Sequence, residues 1–123
     1  MKPRVLLVDD EKDFLDIMAE RLGARGMDVT TTTSAEEAIK MVEEGSYDAV
    51  IMDLMMPAMD GFKAMKLLLK IRSDLQIILL TGDVPQEKCD EAVKLGALDV
   101  IEKPADLNLL TQRIEEARAS RNK

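Results

Sequence analysis

Short apolar runs alternate with longer amphipathic segments along this chain of 123 residues. Four of the runs are apolar at nearly every position, which is typical of strands that are covered on both faces. A weaker run around Val29 is rich in β-branched residues, which favour strands. The strands are predicted at residues 5–8, 27–31, 49–52, 77–80 and 98–101.

The segments between these runs carry apolar residues at helical spacing, and they begin and end at recognisable helix signals. Ser34 and Glu37 form a capping box, Asp60 is placed to cap the third helix, and glycines follow several segments. The helices are predicted at about residues 11–25, 35–44, 61–69, 85–95 and 106–119.

Five strand–helix units in this order predict an α/β fold, in which a five-stranded parallel sheet lies between two layers of helices. Right-handed crossovers leave a doubly wound sheet as the natural arrangement of such units. All strands of a parallel sheet share one direction, so the residues that follow the strands meet at a single edge. Open sheets of this class bind their ligands at that edge.

Polar side chains follow four of these strands. Asp9 and Asp10 follow the first strand, Asp53 the third, Thr81 the fourth and Lys103 the fifth. Crowded carboxylates repel one another unless a cation lies among them, and oxygen ligands of this kind suit Mg²⁺. A hydroxyl and an ammonium are good partners for phosphate oxygens. The set therefore indicates a site for a phosphoryl group beside a divalent metal ion.

Each of these residues also has a simpler interpretation when it is taken alone. Asp10 is placed to cap the first helix, Lys103 is typical of an exposed turn lysine, and Thr81 is an ordinary strand residue. Asp53 is the exception, because the apolar sequence continues through residues 54–57 and no helix is predicted to begin there. The combination of these residues at the ends of several strands is what favours the functional interpretation.

Composition narrows the class of partner. The formal net charge is -7 and Trp is absent, so we expect no binding to DNA, to single-stranded nucleic acid or to an anionic membrane. Cys89 is the single cysteine, which favours a reducing compartment, and no apolar run reaches the length of a membrane span. We therefore expect a soluble, cytoplasmic protein with protein partners.

Several strings match a known family in combination and in order. The chain resembles, over essentially its whole length, the receiver domain of bacterial two-component response regulators. The matching strings are Val-Leu-Leu-Val-Asp-Asp-Glu (5–11), Asp-Leu-Met-Met-Pro-Ala-Met-Asp-Gly (53–61), Leu-Thr-Gly (80–82), Leu-Gly-Ala (95–97) and Glu-Lys-Pro (102–104). The resemblance implies the flavodoxin-like strand order 2-1-3-4-5, flanked by five helices.

The resemblance also implies a phosphorelay function centred on Asp53. This residue would accept a phosphoryl group from a phosphohistidine of a sensor histidine kinase or a histidine phosphotransfer protein. The implied metal ion is Mg²⁺ or Mn²⁺. It would be bound directly by Asp10, by Asp53 and by the main-chain carbonyl of Met55, and Asp9 would hold a metal-bound water.

Thr81 and Lys103 are implied to bind the phosphoryl oxygens, and the Lys103–Pro104 peptide bond is implied to be cis. Phosphorylation would place a dianionic group with new acceptor oxygens where the site previously held a carboxylate and water, so Thr81 can move toward these oxygens and shift the following loop. Many family members place an aromatic switch residue three positions before the lysine, where this chain has Val100. A stiff β-branched side chain has no ring to rotate, so we expect the fourth helix and its leading loop to carry the signal.

Met55 and Asp83 lie two residues beyond the acceptor and beyond Thr81. Both are expected to flank the path of the water that hydrolyses the phosphoryl group. Asp83 either orders that water or repels the phosphoryl group, and the sequence leaves both possibilities open.

From the family resemblance, the chain is expected to be a signalling domain that catalyses only its own phosphorylation and autodephosphorylation, and not an enzyme with an external substrate.

Ile17 is an apolar residue outside the apolar face of the first helix. One interpretation is a scattered surface residue, because single exposed apolar side chains are normal in folded proteins. The functional interpretation is docking, in which Ile17, with Phe14 at the edge, packs against helices of the kinase beside the acceptor.

Three other functions share part of this pattern. A phosphatase of the haloacid-dehalogenase kind also uses a strand-end aspartate, but it needs an Asp-x-Asp motif where this chain has adjacent Asp9 and Asp10. An interaction module without phosphorylation would not be expected to keep every site residue, and a nucleotide-binding module would need a glycine-rich loop.

We expect a single receiver domain over residues 1–123, with its core at about 3–119 and no output domain. It would act on a downstream protein target or a fused output domain.

Overall fold

The computed structural model describes residues 2–56, 59–82 and 85–121. The main strands are Arg4–Val8 (β1), Asp28–Thr32 (β2), Ala49–Asp53 (β3), Ile77–Thr81 (β4) and Asp99–Glu102 (β5). The helices are Lys12–Ala24 (α1), Ala35–Glu44 (α2), Gly61–Ile71 (α3), Gln86–Lys94 (α4) and Leu107–Arg121 (α5). The five strands form one parallel sheet in the order β2-β1-β3-β4-β5, which confirms the doubly wound fold. None of the helices formed by the described residues has both the length and the apolar composition needed to cross a membrane.

Each end of an observed strand lies within one residue of its predicted position. Backbone pairing with the neighbouring strand decides where a strand ends, and an apolar pattern does not report that pairing. Asp53 pairs with Leu80, and Thr81 pairs with Glu102, so both polar residues belong to strands. The hydrogen-bonded sheet therefore fixes the backbone of Asp53 and of Thr81.

Two apolar clusters cover the two faces of the sheet. Val5 and Leu7 of β1 point into the cluster formed with α1 and α5, whereas Leu6 and Val8 point into the cluster formed with α2, α3 and α4. Burial on both faces explains why the central strands are apolar at successive positions. Each fully buried aliphatic side chain contributes about 1.5–3 kcal/mol, which keeps the sheet rigid beneath its polar edge.

Three of the helices begin at residues whose side chains cap them, and two of these residues, Ser34 and Asp60, are the predicted capping residues. The Ser34 hydroxyl accepts a hydrogen bond from the Glu37 amide at 3.2 Å, and the Asp60 carboxylate accepts one from the Phe62 amide at 2.8 Å. Asp106 accepts bonds from the amides two and three residues further on at the start of α5. These bonds satisfy donors that the first turn of a helix leaves unpaired.

A short antiparallel ladder leads the chain from the end of β3 to α3. In this ladder, Met55–Met56 pairs with Met59–Asp60. Gly61 then passes so close to the preceding loop that a Cβ atom would lie 2.5 Å from the Leu54 carbonyl oxygen. A side chain at this position would collide with backbone, so the glycine is required for the close approach of α3 to the loop after β3.

Candidate functional site

The strand ends bring the predicted site residues to one edge of the sheet. Asp9 follows β1, and its amide donates to the Thr32 carbonyl oxygen of β2 at 3.2 Å. Asp53 ends β3 and Thr81 ends β4. Lys103 follows β5, and its amide donates to the Thr81 carbonyl oxygen at 2.7 Å. Residues that are far apart in the sequence are thus held together by sheet pairing.

Four carboxylates crowd at this edge. Oxygen atoms of Asp9, Asp10, Glu11 and Asp53 all lie within 4.8 Å of one another. Asp9 is 1% exposed and Asp53 is 6% exposed, whereas Asp10 and Glu11 are exposed to solvent. Like charges at this spacing repel one another, and burial of two of them makes the repulsion more costly. The cluster therefore favours a cation among its oxygens.

Lys103 supplies one positive charge to this cluster. Its Nζ donates to Asp9 Oδ2 at 2.7 Å and to Asp53 Oδ2 at 3.1 Å, and it lies 3.5 Å from Glu11 Oε1. Desolvation is the largest single influence and lowers the pKa of Lys103. The hydrogen bonds to Asp9 and Asp53 and the charges of these groups together outweigh it, so the pKa is raised above its usual value. Lys103 is therefore charged at neutral pH.

The donor set fits a hard divalent cation. One ammonium among four carboxylates leaves a net negative charge, and oxygen ligands are those that Mg²⁺ and Mn²⁺ prefer. Asp10 is not used as a helix cap here. The Glu11 amide at the start of α1 donates instead to Asp9 Oδ1 at 2.9 Å. The simpler interpretation of Asp10 therefore loses its support, and its carboxylate stays within the cluster.

The hydroxyl of Thr81 is buried, and it has no hydrogen-bond partner among the described residues. A buried polar group left unpaired costs about 1–3 kcal/mol. Thr81 ends the strand next to the one that ends in Asp53, and its main-chain carbonyl, not its hydroxyl, accepts a hydrogen bond from the Lys103 amide. An oxygen-rich group bound at Asp53 would give this hydroxyl a partner, so the residue fits a phosphoryl site.

Phe14 and Ile17 have different surroundings, although both were predicted for one docking surface. Ile17 is 52% exposed on α1. Phe14 is half-buried, and its ring centroid lies 4.4 Å from Lys103 Nζ. This is the geometry of a cation–π interaction. Helical spacing predicts which face of α1 carries Phe14, but it does not report which residue of a distant part of the chain the ring will contact.

The remaining predicted residues lie close to this edge or outside the described residues. Val100 is half-buried in β5 and packs against the apolar cluster beneath α2, α3 and α4. The Lys103–Pro104 peptide bond is cis, which is the geometry that the family resemblance implies. Met55 begins the short ladder after β3, and its role as a carbonyl ligand stays a prediction. Asp83 lies outside the described residues.

Glu11 is a site residue that the sequence pattern did not single out. Its carboxylate belongs to the acidic cluster and lies 3.5 Å from Lys103 Nζ. The available signal was its position, because it extends the pair Asp9 and Asp10 to three consecutive acidic residues. The start of the first helix was predicted at the same residue, and a helix start explains an acidic residue without any site.

Comparison with known sequences agrees with the family resemblance described above. The sequence profile of the response regulator receiver domain matches residues 5–115. Response regulator SaeR from Staphylococcus epidermidis is 38% identical over 100 residues, which cover 81% of this chain and 43% of that protein. The chain spans about half the length of the curated relatives that it matches.

Solved structures resemble this one over nearly the whole chain. A response regulator receiver domain protein from Clostridium thermocellum superposes with a TM-score of 0.93 at 29% identity, covering 98% of this chain and 97% of that one. A response regulator protein from Burkholderia pseudomallei was solved with a phosphorylated aspartic acid, a calcium ion and citrate. It superposes with a TM-score of 0.84 at 25% identity, covering 98% of this chain and 73% of that one.

Replacement of Lys103 by methionine should destabilise the protein, because Asp9 and Asp53 then remain buried without their cation. We expect the free energy of unfolding in metal-free buffer to fall by about 1–3 kcal/mol, measured by urea denaturation followed by circular dichroism. The matched control is Lys12→Met, which removes an exposed pair with Asp16 at 3.3 Å and should cost less than about 0.5 kcal/mol. Adding Asp53→Asn to Lys103→Met should restore part of the lost free energy of unfolding. Equal losses in the two single variants would contradict this role of Lys103.

Proposed function

This chain belongs to the response regulator receiver domain family, which serves two-component signalling, and on that premise we propose that Asp53 is its phosphoacceptor. The observation that carries the proposal is the contact of buried Asp53 with the Lys103 ammonium at 3.1 Å, inside a cluster of four carboxylates. An anionic nucleophile attacks a phosphoryl group only where the charge of that group is neutralised. Lys103 and a cation held by the cluster would supply that neutralisation.

In the proposed reaction, a carboxylate oxygen of Asp53 attacks the phosphorus of a phosphohistidine. A phosphorus–oxygen bond forms while the phosphorus–nitrogen bond of the donor breaks, and the electron pair returns to the imidazole nitrogen. The product is an acyl phosphate. A water molecule later attacks it, which releases inorganic phosphate and restores Asp53. These two steps would be the only chemistry of a domain whose role is signalling.

Lys103 and Thr81 are proposed to bind the oxygens of the transferred group. Lys103 Nζ already donates to Asp53 Oδ2, so exchanging this bond for one to a phosphoryl oxygen would keep the ammonium paired. The Thr81 hydroxyl would gain a partner that it lacks among the described residues. Both contacts would become stronger as negative charge arrives at Asp53.

The metal ion is proposed to be Mg²⁺ or Mn²⁺, bound directly by Asp10, by Asp53 and by the main-chain carbonyl of Met55. Asp9 would hold a metal-bound water. When bound, such an ion neutralises charge on the transferred phosphoryl group and orients it. The mutual closeness of the carboxylates within 4.8 Å supports this set. The similar Burkholderia pseudomallei protein, solved with a phosphorylated aspartic acid and a calcium ion, adds support from the family.

The proposed donor is a sensor histidine kinase or a histidine phosphotransfer protein, and the proposed output is a downstream protein or an attached output domain. We propose that the chain forms a single receiver domain, because the profile match over residues 5–115 includes all five strands of the sheet except the first residue of β1. Its relatives are about twice as long, which leaves room for an output domain in those proteins. The cytoplasm is the proposed place of action.

Incubation with acetyl phosphate and Mg²⁺ should give a single acid-labile phosphate adduct, detected by mass spectrometry. Asp53→Ala should abolish the adduct, and a chelator should prevent it. Lys103→Met should slow its formation by roughly a hundredfold, because a charge that stabilises the transition state is lost. The exposed residue Asp74 gives a matched control, since Asp74→Asn should leave labelling unchanged.

Two outcomes would contradict the phosphoacceptor proposal. An adduct that persists in the Asp53→Ala variant would place the acceptor elsewhere, and the absence of any adduct would favour an interaction module that is not phosphorylated. Turnover of a generic phosphate ester would favour a phosphatase instead. We expect no such turnover.

The signal is proposed to leave the site through Thr81 and α4. Of the residues in α4, only Ala92 is buried, so this helix is held by few apolar contacts and can shift at low cost. Val100 offers no ring to rotate in the neighbouring strand. Movement of Thr81 toward a phosphoryl oxygen would therefore bias the position of α4 and its leading loop.

Amide NMR spectra of the free and the beryllofluoride-bound protein should test this path. We expect the shift changes to extend from the acceptor through residues 85–103, with Thr81→Ala reducing those in α4. Changes confined to the loops around Asp53 would contradict the proposal.

Ile17 is proposed as the centre of the kinase docking surface, with Phe14 at its edge. The two residues are three apart on α1 and are therefore neighbours on the helix surface. Phe14 contacts Lys103, so Ile17 lies about one turn of α1 from a residue at the edge of the acceptor site. Its 52% exposure leaves an apolar side chain available to a partner helix.

Ile17→Glu should slow phosphoryl transfer from the cognate phosphohistidine donor by about tenfold or more, because burial of one aliphatic side chain is lost. Labelling by acetyl phosphate should not change. Val93→Glu is the matched control, since Val93 is 48% exposed on α4 and should not affect transfer from the donor. Equal loss with both kinds of donor would contradict docking at Ile17.

A further inference from the structure

The Lys103 ammonium lies over the ring of Phe14. The ring centroid lies 4.4 Å from Lys103 Nζ. The ring is half-buried and packs against the apolar cluster beneath α1 and α5, and the Lys103 side chain is only 16% exposed. Both partners are therefore partly desolvated, which makes a cation–π attraction stronger than it is between exposed groups.

A lysine side chain keeps its charge at a fixed place only when neighbouring groups hold it there, because its long stem has several rotatable bonds. The contact of Lys103 with Asp53 at 3.1 Å must change when Asp53 carries a phosphoryl group. The contact with Glu11 is 3.5 Å long and involves a carboxylate side chain that is 67% exposed, so it contributes little. The contact with buried Asp9 at 2.7 Å persists in both states, but Asp9 is also the residue proposed to hold a metal-bound water. The ring of Phe14 is neutral, and its contact depends neither on the metal ion nor on the state of Asp53.

We propose that Phe14 is a positioning residue, whose ring holds the Lys103 ammonium at the acceptor site in both the free and the phosphorylated states. This inference rests on the phosphoacceptor function proposed above. The ring attracts the ammonium without accepting one of its directed N–H bonds through a lone pair, so the three donors stay available to oxygens. An aromatic ring is therefore required at this position, and an apolar side chain of similar size does not replace it.

The chain contains a matched control for this contact. Its other phenylalanine, Phe62 in α3, has its ring centroid 5.7 Å from Lys88 Nζ. Phe62 packs against the cluster on the opposite face of the sheet, and Lys88 is exposed. Phe62→Leu thus removes a ring and a cation–π contact of the same kind without altering the surroundings of Lys103.

The first test is a carbon–proton correlation spectrum of protein labelled in its lysines, with Lys103→Arg used to assign the Lys103 ε-methylene signal. Protons held over the face of a ring are shielded, so this signal should lie upfield of the other lysine signals, with and without beryllofluoride. Phe14→Leu should return it to the ordinary position, whereas Phe14→Tyr should keep it upfield. Phe62→Leu should not move it. An identical signal in the unmodified protein and in Phe14→Leu would overturn the proposal.

The second test is the rate at which acetyl phosphate and Mg²⁺ phosphorylate Asp53. Phe14→Leu should slow the rate by about two- to tenfold, the range expected from loss of a cation–π contact. Phe14→Tyr should restore it to within about twofold, because the ring face is retained. Phe62→Leu should leave the rate unchanged. A normal rate in Phe14→Leu, despite loss of the upfield signal, would show that the contact positions nothing and would overturn the proposal.

Failure of the phosphoacceptor function would look different from failure of this inference. If Asp53 accepts no phosphoryl group, the unmodified protein is not labelled and the variants cannot differ in rate. The positioning role then falls with the function, although the lysine signal still reports whether the ring holds Lys103. If the unmodified protein is labelled, the comparison of Phe14→Leu with Phe14→Tyr decides the role of the ring alone.

Discussion

The polar edge of this protein depends on one ammonium group held between two buried carboxylates. Lys103 Nζ lies 2.7 Å from Asp9 Oδ2 and 3.1 Å from Asp53 Oδ2. The two aspartates follow or end neighbouring strands, β1 and β3, whereas Lys103 follows β5, which is separated from β3 by β4. The contact therefore crosses most of the width of the sheet. It lets two negative charges remain in a part of the molecule that excludes water.

The resting site is left with two features that a ligand would relieve. One is the excess of negative charge, because a single ammonium serves four carboxylates. The other is the Thr81 hydroxyl, which is buried without a partner among the described residues. Binding of a divalent cation would reduce the first, and a phosphoryl group bound with it would satisfy the second. Both the metal affinity and the switching tendency proposed here would thus arise from the same incomplete pairing.

The sequence predicted the sheet and the strand-end residues well, because both follow from local patterns. Runs apolar at successive positions identified strands buried on both faces, and a parallel sheet brings the residues after its strands to one edge. The strand order and the cis bond before Pro104 came from the family resemblance instead. Contacts between distant side chains were not predictable. The ring of Phe14 against Lys103 and the entry of Glu11 into the cluster depend on how α1 crosses the end of the sheet, and residue spacing does not report that.

The sequence separation of the site residues has a consequence for how the protein matures. Lys103 is 94 positions from Asp9 and 50 from Asp53, so their bonds close some of the longest loops in the chain. Contacts of this kind form only when the strands between them have assembled. A nascent or partly unfolded chain that lacks β5 holds Asp53 without its cation. The chain would then be able to accept a phosphoryl group only after its last strand has formed. An incompletely folded molecule would not be phosphorylated, and it would therefore send no signal.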